Sequence, residues 1–260
     1  MIELTKNDDW KIVRNALALM RNKHDPRIIP AIKNTMNHPQ KQARIEALGV
    51  LMEFSIEEAL PALEAAVFSV SREIRSVAMR KILEFREPRV KAIVNRSMQP
   101  SNLKKLENDE IDIYFQTIID LRREDLYDLL ANNLFHEDSC LRHKAVDSLL
   151  YAPSLTPFAK QISRASNFEL LSKMKKDDLR HFCKLFKPEI YSALFPVLEN
   201  IFHKKSRLFD NSILKTKETI LRSLSGYIEE KEVVEFFRKG LSVGNRETVS
   251  LIEKIAGKYL

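Results

Sequence analysis

Apolar residues recur along this chain at three- and four-residue intervals, the spacing of helices that bury one face. Part of that pattern repeats. Pro30-Ala31-Ile32 followed by Ala43-Arg44-Ile45-Glu46-Ala47-Leu48-Gly49-Val50-Leu51 matches, at a constant offset, Pro61-Ala62-Leu63 followed by Ile74-Arg75-Ser76-Val77-Ala78-Met79-Arg80-Lys81-Ile82. Leu141-Arg142-His143-Lys144-Ala145-Val146-Asp147-Ser148-Leu149 repeats the second half again. The shared template is an apolar residue, a basic one, two variable positions, a small apolar residue, three variable positions and an apolar residue. Slid along the chain with gaps, it places its basic position at Arg14, Arg44, Arg75, Asp112, Arg142, Arg180, Lys217 and Arg246. The position three residues on is apolar throughout: Leu17, Ala47, Ala78, Phe115, Ala145, Cys183, Ile220 and Val249.

An amphipathic segment precedes each of six template helices: 27–36, 57–68, 88–98, 124–135, 188–202 and 231–241. Local signals mark where helices begin. Asp25-Pro26 and Thr156-Pro157 set proline inside the first turn behind a capping residue, and Ser55-Ile56-Glu57-Glu58 reads as a capping box. Stretches 99–105 and 204–212 read as insertions, and Phe168 to Met174 reads as a short helix of its own. Helices paired through short turns, each burying a face on its neighbours, predict an all-α fold: an α-α superhelix (solenoid) of about seven helix pairs behind an N-terminal half-repeat. It forms a single array over 1–260, with units near 7–21 (the half-repeat), 26–53, 56–85, 87–121, 123–150, 155–187, 189–227 and 231–258.

The apolar-Arg-x-x-Ala-x-x-x-Leu signature, with a proline in the preceding helix, resembles HEAT repeats, most closely the short bacterial HEAT-like type. Trp10-Lys11-Ile12-Val13-Arg14-Asn15 and Asn37-His38-Pro39 resemble segments found near the start of such arrays. The resemblance implies a superhelical scaffold and leaves function open, since such repeats host unrelated roles. One departure stands out. The family pattern carries an aspartate six residues before the repeat arginine, where this chain has His38, Ser69 and His136. The resemblance therefore implies template arginines without their usual acidic partners, and His38 and His136 as caps or bridges between repeats.

Composition narrows the chemistry. Only 5 glycines and 10 prolines disfavour folds built on tight turns and phosphate-cradling loops, and no glycine falls in a P-loop or dinucleotide spacing. Two cysteines, Cys140 and Cys183, form no disulfide framework; both lie in apolar helical patterns and are expected to be buried thiols. No secretory or membrane-spanning pattern is present, so a cytoplasmic location is expected. No histidine pair has metal-ligand spacing, and no cofactor or metal is expected. His136-Glu137 matches only one element of the several that mark HEAT-like iron hydroxylases. A HEAT-like DNA glycosylase would need aromatic residues and an acid to hold an extruded base, for which Trp10 or Asp112 with Tyr114 and Phe115 are the nearest residues. A bilin lyase is implied by fold alone. The expected role is not enzymatic.

The remaining signal is electrostatic. The formal charge is +7, and the repeat register distributes it unevenly. Loops within repeats carry Lys41, Arg72, Lys104, Lys105, Lys173, Lys175, Lys176, Lys204, Lys205 and Arg207, whereas loops between repeats are mixed to acidic. Helix-dipole complementarity produces the same bias without any partner. The predicted role is a protein-interaction scaffold that docks an acidic protein segment on a concave face or basic edge through Arg44, Arg75, Arg142, Arg180, Lys204, Lys205 and Arg207. Leu208 and Phe209 would serve as apolar anchors. The alternative is nucleic-acid binding through phosphate contacts along the basic loops. A dimer contact or an upstream domain is expected to cover Trp10, because terminal repeats need a cap.

Overall fold

The computed structural model describes residues 1–23, 25–54, 56–103, 105–206 and 211–260, and these contain helices and turns but no strand. The contacts divide the chain into Met1–Leu121 and Arg122–Leu260.

The first unit opens with a 3-10 turn, Ile2–Lys6, lying against α1 (Trp10–Arg21) and α2 (Ile29–Thr35). It continues with α3 (Lys41–Phe54), α4 (Ile56–Val67), α5 (Arg72–Ile82), α6 (Pro88–Ser97), α7 (Pro100–Leu103) and α8 (Asn108–Asp120). Template helices pack on one another in the order α1, α3, α5, α8, while α2 and α4 pack on the template helices beside them. This follows from the sequence pattern, because the template's small apolar position is where two helices approach: Leu17, Ala47, Ala78 and Phe115 are all at most 1% exposed. Asp9 caps α1 by accepting from Lys11 N, and Asp25 accepts from Arg27 N, as the Asp-Pro pair predicts. The predicted capping residue Ser55 lies outside the described residues, as does Lys104. Within the insertion predicted at 99–105, Pro100–Leu103 form the single turn α7.

The second unit comprises α9 (Tyr127–Asn133), α10 (Ser139–Leu150), α11 (Ala159–Ala165), α12 (Phe168–Leu171), α13 (Lys176–Phe182), α14 (Tyr191–Leu198), α15 (Ser212–Ser225), α16 (Lys231–Val243) and α17 (Arg246–Ala256). Here α10, α13, α15 and α17 pack in sequence on one side, and α9, α11 and α14 pack in sequence beside them. The predicted short helix near 168 is α12. Gly240 lets α16 approach α17 closely: a Cβ there would come within 2.5 Å of Ile252 Cδ1 and 2.8 Å of the Phe202 ring, so a larger residue would force those side chains to shift.

Two expectations are corrected at this level. Cys140 is exposed while Cys183 is buried, because Cys140 falls in the first turn of α10 where the helix surface faces water. Leu155 rather than Thr156 precedes the turn containing Pro157, and the hydroxyl that accepts the Thr156 N–H belongs to Ser154. Trp10 is half-buried within its own unit, with the Arg14 guanidinium 5.3 Å from the ring centroid.

Candidate functional site

The template arginines were the first candidates, and the structure gives them internal partners. Arg44 Nη1 donates to the carbonyls of His38 at 2.6 Å and Pro39 at 2.8 Å. Arg75 Nη1 does the same to Ser69 and Val70, and Arg142 Nη1 to His136 and Glu137. Each of these three arginines thus reaches back to two carbonyls left open before its own helix. Two of them also reach forward. Arg75 holds Glu110 with two parallel bonds, Nε to Oε1 at 3.0 Å and Nη2 to Oε2 at 2.8 Å, and Arg142 Nη2 pairs with Asp178. Lys217, with a fully buried side chain, donates to Glu247 Oε1 at 3.1 Å, to Thr248 Oγ1 at 2.9 Å and to the carbonyl of Lys204. The expectation that these cations lack acidic partners is therefore corrected for Arg75 and Arg142. The acid stands two residues before the next template position, at Glu110 and Asp178, instead of six before the arginine itself.

The residues at the departing position cap the turn. His38 Nδ1 accepts from Gln40 N, Ser69 Oγ from Ser71 N and His136 Nδ1 from Asp138 N. A ring nitrogen or a hydroxyl thus does what a carboxylate could do there. His38 also bridges, because Nδ1 accepts and so Nε2 carries the proton, which it donates to the Asn7 carbonyl at 2.8 Å.

Two loop cations of the first unit are similarly engaged. Lys41 meets Glu73 at 2.5 Å, and Arg72 meets Glu107 at 3.0 Å and also Asp109. Lys41 and hydrogen bonds from the Glu73 and Ser71 groups hold the Glu73 carboxyl down at about 2. In the second unit Lys204 lies 3.5 Å from Glu169, while Lys173, Lys175 and Lys205 have no ion-pair partner among the described residues. Arg207, Leu208 and Phe209 lie outside the described residues.

Uncompensated charge gathers between α13 and α15. A cleft of about 230 Å³ there is lined by Lys176, Arg180, Lys215, Glu218, Thr219, Arg222 and Ser223. Helical spacing builds it: Lys176 and Arg180 lie one turn apart on α13, and Lys215, Glu218 and Arg222 follow one another at three- and four-residue steps on α15. Arg222 clamps Glu218 through Nε and Nη2, at 3.0 and 2.8 Å, and this bond keeps the Glu218 carboxyl below its ordinary range despite some burial; Lys254 and Lys176 add to the effect. The cleft's one carboxylate is thereby spent on one of its cations. Arg180 lies a loose 3.7 Å from a highly exposed Asp177, and neither Lys176 nor Lys215 has an ion-pair partner among the described residues. The Thr219 and Ser223 hydroxyls donate back to the carbonyls of Lys215 and Thr219, so their protons are engaged.

Beside the cleft, α10 and α13 stack His143 on His181, ring centroids 4.3 Å apart. His143 Nε2 lies 2.9 Å from Asp178 Oδ1 and His181 Nε2 2.9 Å from Asp147 Oδ1. Burial lowers the His181 pKa, Asp147 opposes it, and Lys184 and His143 add to the lowering. Asp178 is driven upward by burial, but bonds from Ser139 and Arg142 prevail and leave it ionised below its ordinary value.

Of the residues picked from the sequence, Arg180 alone lines this cleft. By sequence Lys176 is only a loop lysine, while Lys215 and Arg222 lie two residues before and five after the template's Lys217 and carry no signal of their own.

No family model and no curated protein matches the chain. A crystal structure of an engineered protein aligns over 99% of this chain and 94% of its own at 14% identity, with a TM-score of 0.24. That likeness carries no argument about this chain.

Proposed function

We propose that the chain is a HEAT-like helical-repeat scaffold whose second unit docks an acidic protein segment in the cleft between α13 and α15. The solenoid reading is supported by template helices that pack in sequence on template helices within each unit. The carrying observation for docking is the cleft itself: Lys176, Arg180, Lys215 and Arg222 face one carboxylate, and that carboxylate is bound to Arg222. Guanidinium forks and mobile ammonium groups on a shallow helical face suit side-chain carboxylates spaced along an extended or helical segment. The alternative, nucleic-acid binding, finds less support, since no aromatic residue lines the cleft to stack a base. Arg75 and Arg142 are structural in this account, and the docking set becomes Lys176, Arg180, Lys215 and Arg222, with Lys205 nearby in sequence to the start of α15.

The test is fluorescence anisotropy with a labelled Glu/Asp-rich peptide and, in parallel, a labelled single-stranded oligonucleotide over a salt series. Saturable peptide binding that weakens with salt supports docking. Oligonucleotide binding with a steep salt slope and no peptide binding selects the alternative.

A further inference from the structure

We infer that the first unit contains a separate binding pocket for a small apolar carboxylate. The pocket, about 430 Å³, lies between the turn after α4 and the segment joining α6 to α8, within the size range of small-molecule sites. Val67, Phe68 and Leu106 supply apolar wall, and Tyr114 on α8 lines it with a side chain only 1% exposed. The Tyr114 hydroxyl makes no hydrogen bond in the structure, an unsatisfied buried donor of the kind that native interiors rarely leave.

The other polar groups around the pocket are occupied. Arg75 is held by Glu110 and two carbonyls, Ser97 Oγ donates to the Val94 carbonyl, and Asn102 Nδ2 donates to the Arg96 carbonyl. What remains is the Tyr114 O–H, the Lys105 ammonium, whose contact to Asn102 Oδ1 is a long 3.5 Å, and the proton of the Ser69 hydroxyl, whose oxygen accepts from Ser71 N. All three are donors, and no carboxylate lines the pocket. Burial raises the Tyr114 phenol pKa, so the hydroxyl keeps its proton at working pH. Apolar walls, neutral donors and one cation together select a ligand with an apolar body and an anionic acceptor end; an amine would face a cation and find no counter-charge. At the rim Val70 is 99% exposed, more than any other large apolar side chain described, and offers a surface for the tail of such a ligand.

The test is methyl NMR of the full chain titrated with octanoate, octylamine and octan-1-ol. The expected result is saturable octanoate-induced shifts at the methyls of Val67, Val70 and Leu106, with octylamine and octan-1-ol at least about tenfold weaker. Tyr114→Phe removes an unpaired hydroxyl, so its unfolding midpoint should hold or rise while octanoate affinity falls by about fivefold. Lys105→Glu, an exposed change, should weaken octanoate and leave octan-1-ol unaffected. Equal binding of the three probes, absence of saturation, or unchanged octanoate affinity in both variants would overturn the assignment.

Discussion

Arg75 and Glu110 form a bidentate ion pair across neighbouring template helices, with Glu110 fully buried and Arg75 only 9% exposed. Glu110 has a second duty, since its Oε2 accepts the Glu107 N–H and closes a capping box at the start of α8. The pair therefore fixes the helix start and the contact between α5 and α8 together. Removing one partner strands a buried charge, which typically costs about 3–5 kcal/mol. Arg75→Ala and Glu110→Ala should each destabilise the first unit by that order in urea unfolding, and the double variant by clearly less than their sum. Additive losses would show that the two side chains are not coupled.

Lys41 and Glu73 make the exposed counterpart of this pair one repeat earlier. With the Glu73 carboxyl held at about 2, its contribution to stability is present above the ordinary carboxylate pKa of 4.5 and is lost as pH falls toward 2. A carboxyl-carbon NMR titration should place the Glu73 midpoint near 2, and Lys41→Met should move it upward. A Glu73 midpoint that Lys41→Met leaves in place would refute the contact.

His181 gives the second unit an acid sensitivity. Its folded pKa lies below the ordinary 6.5, so the unfolded chain takes up the proton first and stability falls as pH drops below 6.5. Groups that bear on it are Asp147 and His143 from α10 and Lys184 from its own segment. His181→Asn should flatten the decline in urea midpoint between neutral and mildly acidic pH; a decline left unchanged by the substitution would contradict this assignment.

The two thiols should separate cleanly. Cys183 is buried and its pKa is pushed up to about 12, chiefly by burial, whereas Cys140 is exposed. A maleimide added to the folded protein should modify Cys140 alone, as read by peptide mass spectrometry, and reach Cys183 only after denaturant is added. Fast labelling of Cys183 in the native state would contradict the packing of α13 on α15.

The helices were legible in the sequence because their signal is local: apolar periodicity, prolines at helix starts and the template's small residue all lie within a few positions of one another. The ion-pair ladder was not. Its acid sits 35 residues after Arg75 and 36 after Arg142, just ahead of the following template position, so nothing local to either arginine marks it. The histidines at the aspartate position obscured it further. His38 and His136 cap the turn through Nδ1, but read by residue type alone they suggested a missing partner. Charge summed by loop also misled. Lys41 and Arg72 meet acids on the next template helix, while the uncompensated cations Lys176 and Lys215 owe their position to helix register.

The location of that charge, rather than its total, is the central claim, and a matched charge-reversal experiment addresses it directly. Lys176→Glu/Lys215→Glu alters the cleft, and Lys11→Glu/Lys91→Glu makes the same change in net charge on exposed positions of the first unit. Anisotropy titrations with a Glu/Asp-rich peptide should show affinity reduced by at least about tenfold in the cleft variant and little changed in the control, with both retaining wild-type circular dichroism. Equal losses in the two variants, or none in the cleft variant, would contradict docking between α13 and α15.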